Sequence, residues 1–386
     1  MDYQHCSVAT LLSHAAEVGA INDPHGATHM PIYQTATFDL KKQGETPYDY
    51  TRSGNPTRHS LENLFTKVCE GRSAHCTHTG LGAVALLLET LVKTGDHIVV
   101  EQDCYGGTYR LLQSYRERLD ITIHFVDCTD TTAVEQVLSQ NDVRFILFET
   151  PTNPGLKIID IAAIAKRAHA HNTLCVVDNS LATFISQKPL ALGADISFFS
   201  TTKYVSGHGS VVGGVLVTGR DDLVDPFAYA ANAYGRSQNP MDVYVTSLGL
   251  PTLPMRMKLH EENAHALATW LETLPEVVSV TYPGLPSHPQ HELARTQMRY
   301  FSGVFTVDFD TPQTAQRVVE KTVLFGEKAS FGTADSRIEI PGKISHASFS
   351  EAELAAIGIT PATVRLSLGL ESVDDLKKDI QEALYG

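Results

Sequence analysis

The sequence predicts an α/β protein with a large, mostly parallel sheet of seven strands, a smaller C-terminal α/β domain and an extended N-terminal arm. Three observations lead there. Short apolar runs alternate with helical stretches between about residues 61 and 218, the pattern of a parallel sheet covered by helices. A second, shorter alternation occupies 277–384. The first sixty residues are rich in turn formers, contain Asn55-Pro56 and show little helical periodicity. The expected divisions are an arm at 1–60, a large domain at 61–250 and a small domain at 251–386.

In chain order, a helix at 61–69 leads to a short strand at 74–78, then Gly80 and Gly82, then a helix at 83–93. Strands follow at 97–101, 121–127, 144–149 and 174–178, with helices at 107–118, 132–139 and 160–171 between them. The apolar runs at 195–200 and 211–218 complete the sheet. Open parallel sheets bind ligands at the carboxyl ends of their strands, and Glu149, Asp178 and Ser200 stand at such ends. A helical stretch at 241–273 is broken near Pro251 and Pro254, since proline interrupts the helix ladder. Beyond it, strands are expected at 277–282, 303–309 and 363–368, and helices at 289–299, 312–321 and 373–384.

Composition narrows the function. The 386 residues fit two to three domains, and 42% hydrophobic content supports a large core. A net charge of −14 argues against non-specific nucleic-acid binding. The six cysteines form no C-x-x-C pair and read as reduced thiols of a cytoplasmic protein, not as a zinc site or disulfide framework. The N-terminus has no basic-then-apolar segment of a signal peptide. The apolar stretch 83–92 is interrupted by Glu89 and is too short for a membrane. Seventeen histidines include no H-E-x-x-H pattern, and no metal is expected.

Lys203 carries the most information. It follows the apolar run of Ser-Phe-Phe-Ser-Thr-Thr-Lys-Tyr (197–204), with Gly207 and Gly209 soon after. A charged lysine is costly to bury; burial lowers its pKa and leaves a neutral amine for Schiff-base chemistry. Ser200 and Thr202 beside it offer hydroxyls to a phosphate, and Leu-Cys-Val-Val-Asp-Asn (174–179) is an apolar strand ending in an acid. Together these point to pyridoxal phosphate, held by a lysine with an acid at its pyridinium nitrogen. Each residue also has a plain structural reading. A lysine after a strand is commonly solvated, and Asp178 with Asn179 can cap a turn. The loop Thr77-His-Thr-Gly-Leu-Gly (77–82) can be a joint or an anion site at a helix N-terminus. Tyr105 can pack in a core or stack on a planar ring. Arg365, in an apolar strand context, needs an anionic partner, either a protein carboxylate or that of a substrate.

The assembled segments resemble the pyridoxal-phosphate enzymes of transsulfuration, the family of cystathionine lyases, cystathionine γ-synthases and methionine γ-lyases. They are Tyr48-Asp-Tyr-Thr-Arg-Ser-Gly-Asn-Pro-Thr-Arg (48–58), Thr79-Gly-Leu (79–81), Asp103-Cys-Tyr-Gly-Gly-Thr (103–108) and Glu149-Thr-Pro-Thr-Asn-Pro (149–154). Val177-Asp-Asn (177–179), Ser200-Thr-Thr-Lys-Tyr (200–204) and Arg365-Leu-Ser-Leu-Gly-Leu-Glu (365–371) continue the series in the family's order. The resemblance implies a fold-type I architecture. It makes Lys203 the Schiff-base lysine, Asp178 the partner of the pyridine nitrogen and Tyr105 the stacking ring. Gly80, Leu81, Ser200 and Thr202 match the phosphate cradle. Tyr50 and Arg52 match a pair that reaches the phosphate of a neighbouring subunit's cofactor, which implies a homotetramer built from two active dimers. Asn153, Ser330 and Arg365 match positions that hold a substrate carboxylate, and Asp49 and Arg110 are candidates to contact the distal amino acid of cystathionine.

The chain also departs from the family. Lys328-Ala-Ser-Phe-Gly-Thr (328–333) stands where many relatives have Ala-Glu-Ser-Leu-Gly-Gly, so Ala329 occupies the glutamate position. Ile344-Ser-His replaces Met-Thr-His, and Gly107 stands at the methionine γ-lyase cysteine position. The resemblance implies a carbon–sulfur lyase acting on cystathionine, first by γ-elimination to cysteine, 2-oxobutanoate and ammonia. The alternatives are the β-lyase giving homocysteine and pyruvate, and the γ-synthase. Outside this class stand a non-catalytic scaffold that keeps the fold, and a serine hydrolase at Gly207-His-Gly-Ser, which lacks the G-x-S-x-G elbow.

Overall fold

The computed structural model describes residues 3–386 apart from 4, 20–22, 24, 43, 45 and 348. Seven strands form one sheet: β1 (Ser73–Thr77), β2 (His97–Glu101), β3 (Thr122–Val126), β4 (Val143–Glu149), β5 (Leu174–Asp178), β6 (Ile196–Phe199) and β7 (Gly214–Thr218). Their order is β1-β7-β6-β5-β4-β2-β3. The run from β6 through β5, β4 and β2 to β3 is parallel, and β7 lies antiparallel to both neighbours, β1 and β6.

The continuous apolar runs exist because both faces of the sheet are covered. Along β4, Phe145 and Leu147 join Leu86, Leu87, Leu216 and Phe227 in one core layer. Ile146 and Phe148 turn to the other face and pack with Ile161, Ile164 and Val177. This is the two-residue side-chain period of a strand.

The second sheet has five strands, β8 (Val277–Thr281), β9 (Val304–Phe309), β10 (Gly326–Glu327), β11 (Arg337–Glu339) and β12 (Thr363–Ser367), in the order β10-β11-β12-β9-β8. All pairs are antiparallel except β10–β11. Strands β10 and β11 are two and three residues long. They are too short for a periodic signal and are not among the strands expected from sequence. The helix Val224–Ala233 was also unexpected; it buries Phe227 and Ala230 against the first sheet's helical layer.

The arm needs two corrections. It holds helices Val8–Ser13 and Ala15–Val18. The next helix starts at Pro56, not at 61. Asn55-Pro56, read as a turn, is the start signal of that helix: Asn55 caps it by accepting from Thr57 N–H at 3.0 Å, and Pro56 takes the first position. Further on, the expected break near Pro251 and Pro254 appears as a single 3₁₀ turn, Leu250–Thr252, between helices Pro240–Leu248 and Leu253–Leu271. The expected helix at 289–299 spans His291–Gln297. No helix among the described residues is long and apolar enough to cross a membrane.

Register places the site. Glu149 pairs across β4–β5 with Asp178, and Asp178 pairs across β5–β6 with Phe198, so the strands end level. At the same edge β7 starts at Gly214, opposite Thr77. A Cβ on Gly214 would stand 2.4 Å from the Thr79 carbonyl oxygen and 2.7 Å from Gly80 Cα. That contact presses β7 against the start of the helix Gly80–Leu91. Gly214→Ala should therefore destabilise the protein by about 1–3 kcal/mol through overpacking, read as a lower midpoint in chemical unfolding. An unchanged midpoint would show that this joint is slack.

Candidate functional site

The carboxyl edge of the first sheet opens on a cavity of about 340 Å³. Eleven of the positions singled out in the sequence line it: Lys203, Tyr105, Asp178, Gly80, Leu81, Ser200, Thr202, Asn153, Ser330, Arg365 and Arg110. They come from the ends of five strands of the first sheet, the helix Gly106–Leu119, the loop at Ser330 and the strand that carries Arg365, and only the fold brings them together.

One end of the cavity is built to receive an anion. The helix Gly80–Leu91 starts there, with Thr79 as cap; its hydroxyl accepts from Gly82 N–H at 2.7 Å. First-turn N–H groups have no partner within their own helix and carry its positive dipole end. A Cβ on Gly80 would meet Ser200 Cβ at 2.8 Å, so the helix start and Ser200 form one rim. The Ser200 and Thr202 hydroxyls both donate to the Gly213 carbonyl, at 3.4 and 3.2 Å. Their oxygens and the helix N–H groups together make a polar cup.

Lys203 lies in the turn that follows β6. Its Nζ donates to Ser330 Oγ at 2.6 Å and sits 4.8 Å from the Phe331 ring centroid. Burial holds this amine down at about 8, with the Arg365 and Arg337 guanidiniums adding to the effect. Asp178 closes the floor. Its Oδ1 accepts from Ser180 N–H at 2.9 Å, so the turn-capping reading holds, yet the side chain also faces the cavity. Burial lifts its carboxyl to about 6, while bonds from Ser180 and the charge of Lys203 pull the other way. Glu149 stands beside it, pushed well above the usual carboxylate range by burial and then by Asp178. Its Oε2 has no hydrogen-bond partner.

Arg365 on β12 forms the opposite wall. Its Nη1 donates to Asn153 Oδ1 at 3.0 Å and its Nη2 to the Ser330 carbonyl at 2.9 Å. Glu339, across the β11–β12 pair, brings Oε1 to 3.1 Å of Nη1. Neither Glu339 oxygen meets hydrogen-bond geometry, so this is a charge contact and not a bidentate pair. Arg365 Nε is buried without a partner. Ser330 adopts φ +82°, left-handed for a residue with a Cβ; such strain persists where surroundings hold it and gathers at functional sites. Here it lets one residue give its hydroxyl to Lys203 and its carbonyl to Arg365.

Tyr105 precedes the helix Gly106–Leu119 and folds back over it. A Cβ on Gly107 would stand 2.4 Å from Tyr105 Cε1. Glycine at that position is thus what allows the ring its place at the cavity.

Three positions lie apart from the cavity: Tyr50, Arg52 and Asp49. Tyr50 and Arg52 border a separate hollow, where Arg52 stacks 5.1 Å from the Tyr50 ring centroid and its Nε donates to Asn232 Oδ1 at 3.1 Å. Asp49 accepts from Tyr50 N–H at 2.6 Å. His208 and Ser210, the hydrolase alternative, are exposed outside the cavity, and His208 Nδ1 engages the Ser206 carbonyl. Sequence reading missed Phe331, Ser180 and Glu339 as parts of the site. Glu339 gave no signal, because its role comes from a three-residue strand. Glu149 was visible as a strand-end acid without a role. Among the described residues, no cluster of three or more His, Cys, Asp or Glu could hold a metal ion.

Comparison with known proteins identifies the family. The family profile described as "Cys/Met metabolism PLP-dependent enzyme" matches residues 11–385. A cystathionine beta-lyase of Coxiella burnetii is 42% identical over 93% of both chains. A cystathionine gamma-lyase of Bacillus subtilis is 38% identical over 97% of this chain and 98% of that one. The crystal structure of cystathionine gamma synthase from Xanthomonas oryzae pv. oryzae, in complex with aminoacrylate and cysteine, superimposes with a TM-score of 0.94 at 35% identity, over 98% of each chain. With its fold and nearly its whole length matched, the chain belongs to the Cys/Met metabolism family of pyridoxal-phosphate-dependent enzymes.

Proposed function

We propose that the protein cleaves the carbon–sulfur bond of cystathionine by γ-elimination, taking up water and releasing cysteine, 2-oxobutanoate and ammonia. The observation that supports elimination chemistry, at either carbon, is a buried amine with a pKa lowered to about 8 that shares one cavity with a buried acid and a buried arginine. A base of that strength can take a proton at neutral pH and return it.

The residues suit pyridoxal phosphate. The helix N-terminus at Gly80 and Leu81 and the hydroxyls of Ser200 and Thr202 would hold the phosphate. Lys203 would hold the aldehyde carbon, Asp178 the pyridine nitrogen and Tyr105 the ring face. When bound, the cofactor supplies a sink for the electron pair left at Cα. Arg365, supported by Asn153 and Ser330, would fix the substrate carboxylate and so aim Cα–H at Lys203. The unpartnered Arg365 Nε is a donor available for that purpose. Lys203 would then take the proton from Cα and move a second one from Cβ, which γ-elimination requires before sulfur leaves Cγ. Tyr105, at the mouth, would give a proton to the departing sulfur.

A second reading has its own support. The Coxiella beta-lyase shares more identity with this chain than the Bacillus gamma-lyase does. In β-elimination the sulfur leaves Cβ directly, after one proton transfer by Lys203, and the products are homocysteine and pyruvate. The position of Tyr50 and Arg52, outside the cavity and at the surface, supports their reaching the phosphate site of a second copy. The active unit would then be a dimer, and the assembly a tetramer of two dimers. Asp49 and Arg110 are the proposed contacts to the distal end of the substrate. We place the protein in the cytoplasm, with no nucleic-acid or membrane partner.

Three outcomes are expected. Given cystathionine alone, the enzyme should form 2-oxobutanoate and cysteine in equal amounts; pyruvate with homocysteine would establish the second reading, and no keto acid would defeat both. Asp178→Asn should lower turnover by roughly 10²-fold while the substrate's KM stays within about threefold, because an opposite charge moves a partner's pKa by about 1–3 units; wild-type turnover would remove Asp178 from the mechanism. Cofactor-free protein should take up pyridoxal phosphate faster as pH rises, with a midpoint near 8, since only the neutral Lys203 amine attacks the aldehyde. Stopped-flow growth of the visible band reads this, and a midpoint near the usual lysine value of about 10.4 would mean the amine is not desolvated.

A further inference from the structure

We propose that Arg256 is a positioning residue whose buried guanidinium grips the carbonyl end of the turn carrying Lys203 and thereby sets where that amine stands. The inference rests on Lys203 being the cofactor's point of attachment.

Arg256 lies one turn into the helix Leu253–Leu271 and is 6% exposed. Its Nη1 donates to the Tyr204 carbonyl at 2.6 Å, and its Nη2 to the carbonyls of Gly249 at 2.7 Å and Val205 at 3.3 Å. Its Nε donates to Thr252 Oγ1 at 3.0 Å. All four acceptors are neutral. A buried charge with no counter-charge is costly, and an apolar side chain of like volume commonly serves stability as well or better. What the guanidinium offers instead is a fork that holds several carbonyls in fixed directions.

Two of the three carbonyls belong to the residues that follow Lys203, and the third to Gly249. The segment 201–206 is wound like a helix end: Ser206 N–H donates to the Thr201 carbonyl at 3.0 Å and Gly207 N–H to the Lys203 carbonyl at 2.9 Å. Carbonyls at such an end point outward and attract a cation. Gly207 has φ +71°, and a Cβ there would stand 2.1 Å from Arg256 Nη1. The chain therefore leaves space for the guanidinium at the cost of a side chain.

The same helix face reaches the other wall of the cavity. His260 and Asn263 follow Arg256 by four and seven residues and share its stripe. His260 Nδ1 engages the Leu368 carbonyl at 2.7 Å, and Asn263 Nδ2 donates to the carbonyls of Gly369 at 3.1 Å and Glu371 at 2.9 Å. These residues directly follow β12, which carries Arg365. The Tyr204 ring meets His260 edge-on, with centroids 4.9 Å apart. One helix thus fixes the distance between the amine and the carboxylate-binding guanidinium. A misplacement of about 1 Å between reacting groups can cost roughly 10²-fold in rate.

The test uses holoenzyme carrying Arg256→Lys, which keeps the charge and loses the fork, and Thr252→Val, which removes one of the four acceptors at an exposed position and leaves the core intact. The readouts are kcat and KM per bound cofactor, the pH midpoint of the visible absorption of the bound cofactor, and the melting temperature. Arg256→Lys should lower kcat by about 10- to 100-fold with KM within about threefold, and should move the absorption midpoint. Thr252→Val should shift both in the same direction by a smaller factor. Wild-type midpoints and wild-type kcat per bound cofactor in both variants would overturn the proposal, as would losses that follow melting temperature alone. Borohydride reduction and peptide mapping of the unaltered enzyme separate the two layers. Attachment away from Lys203 removes the underlying reading and this inference with it, whereas attachment at Lys203 with unmoved variants removes only the role of Arg256.

Discussion

The rest of the structure is organised around the desolvation of one amine. Lys203 sits at the end of a strand buried on both faces, and the cost of keeping it charged there drops its pKa to about 8. The same removal of water drives Asp178 and Glu149 upward. Burial therefore brings acids and base toward each other on the pH scale. Groups normally separated by about six units become able to exchange protons near neutrality. The nearby arginines keep this from collapsing into a simple lysine–carboxylate pair, because Arg365 and Arg337 repel a proton on Lys203.

That electrostatic arrangement needs positions more than it needs residue types. The β4–β5 and β5–β6 registers bring Glu149, Asp178 and the start of the Lys203 turn to one level. The short antiparallel contact between β11 and β12 brings Glu339 against Arg365. Ser330 ties these two systems, since its hydroxyl serves the amine and its carbonyl serves the guanidinium. A loop residue in the left-handed region is a costly way to make that link. It is used here because the two sheets approach each other at this loop and one residue has to face both.

Much of this was legible in the sequence, for physical reasons that differ by element. The parallel strands were readable because burial on both faces leaves uninterrupted apolar runs such as 143–149. Lys203, Asp178 and the Gly80 loop were readable because each places a polar or conformationally special residue where an apolar strand ends. Arg365 was readable as a charge in an apolar strand, but its partner was not. Glu339 lies in a strand of three residues, too short to show a period. The helix start at Pro56 was misread because Asn-Pro serves both turns and helix caps, and only the downstream apolar stripe of Leu61, Leu64, Phe65 and Val68 decides between them. Arg256 could not be found at all from sequence, since its acceptors are backbone carbonyls, and a carbonyl leaves no mark on residue identity.

The relatives carry different reaction names, beta-lyase, gamma-lyase and gamma-synthase, and the buried centre by itself does not choose among them. Lys203, Asp178 and Arg365 would serve elimination at Cβ or Cγ equally, so the outcome depends on how the distal part of the substrate lies at the mouth. There the chain carries Ala329, Ile344, Ser345 and Arg110. The Ala329 carbonyl is held by Arg337 Nη1 at 2.6 Å, so that loop is fixed through its backbone and its methyl group faces the cavity without charge. An acid at this position would add a negative charge to the cavity wall. Selectivity among thioethers would then turn on the uncharged rim at Ala329, and not on the buried centre.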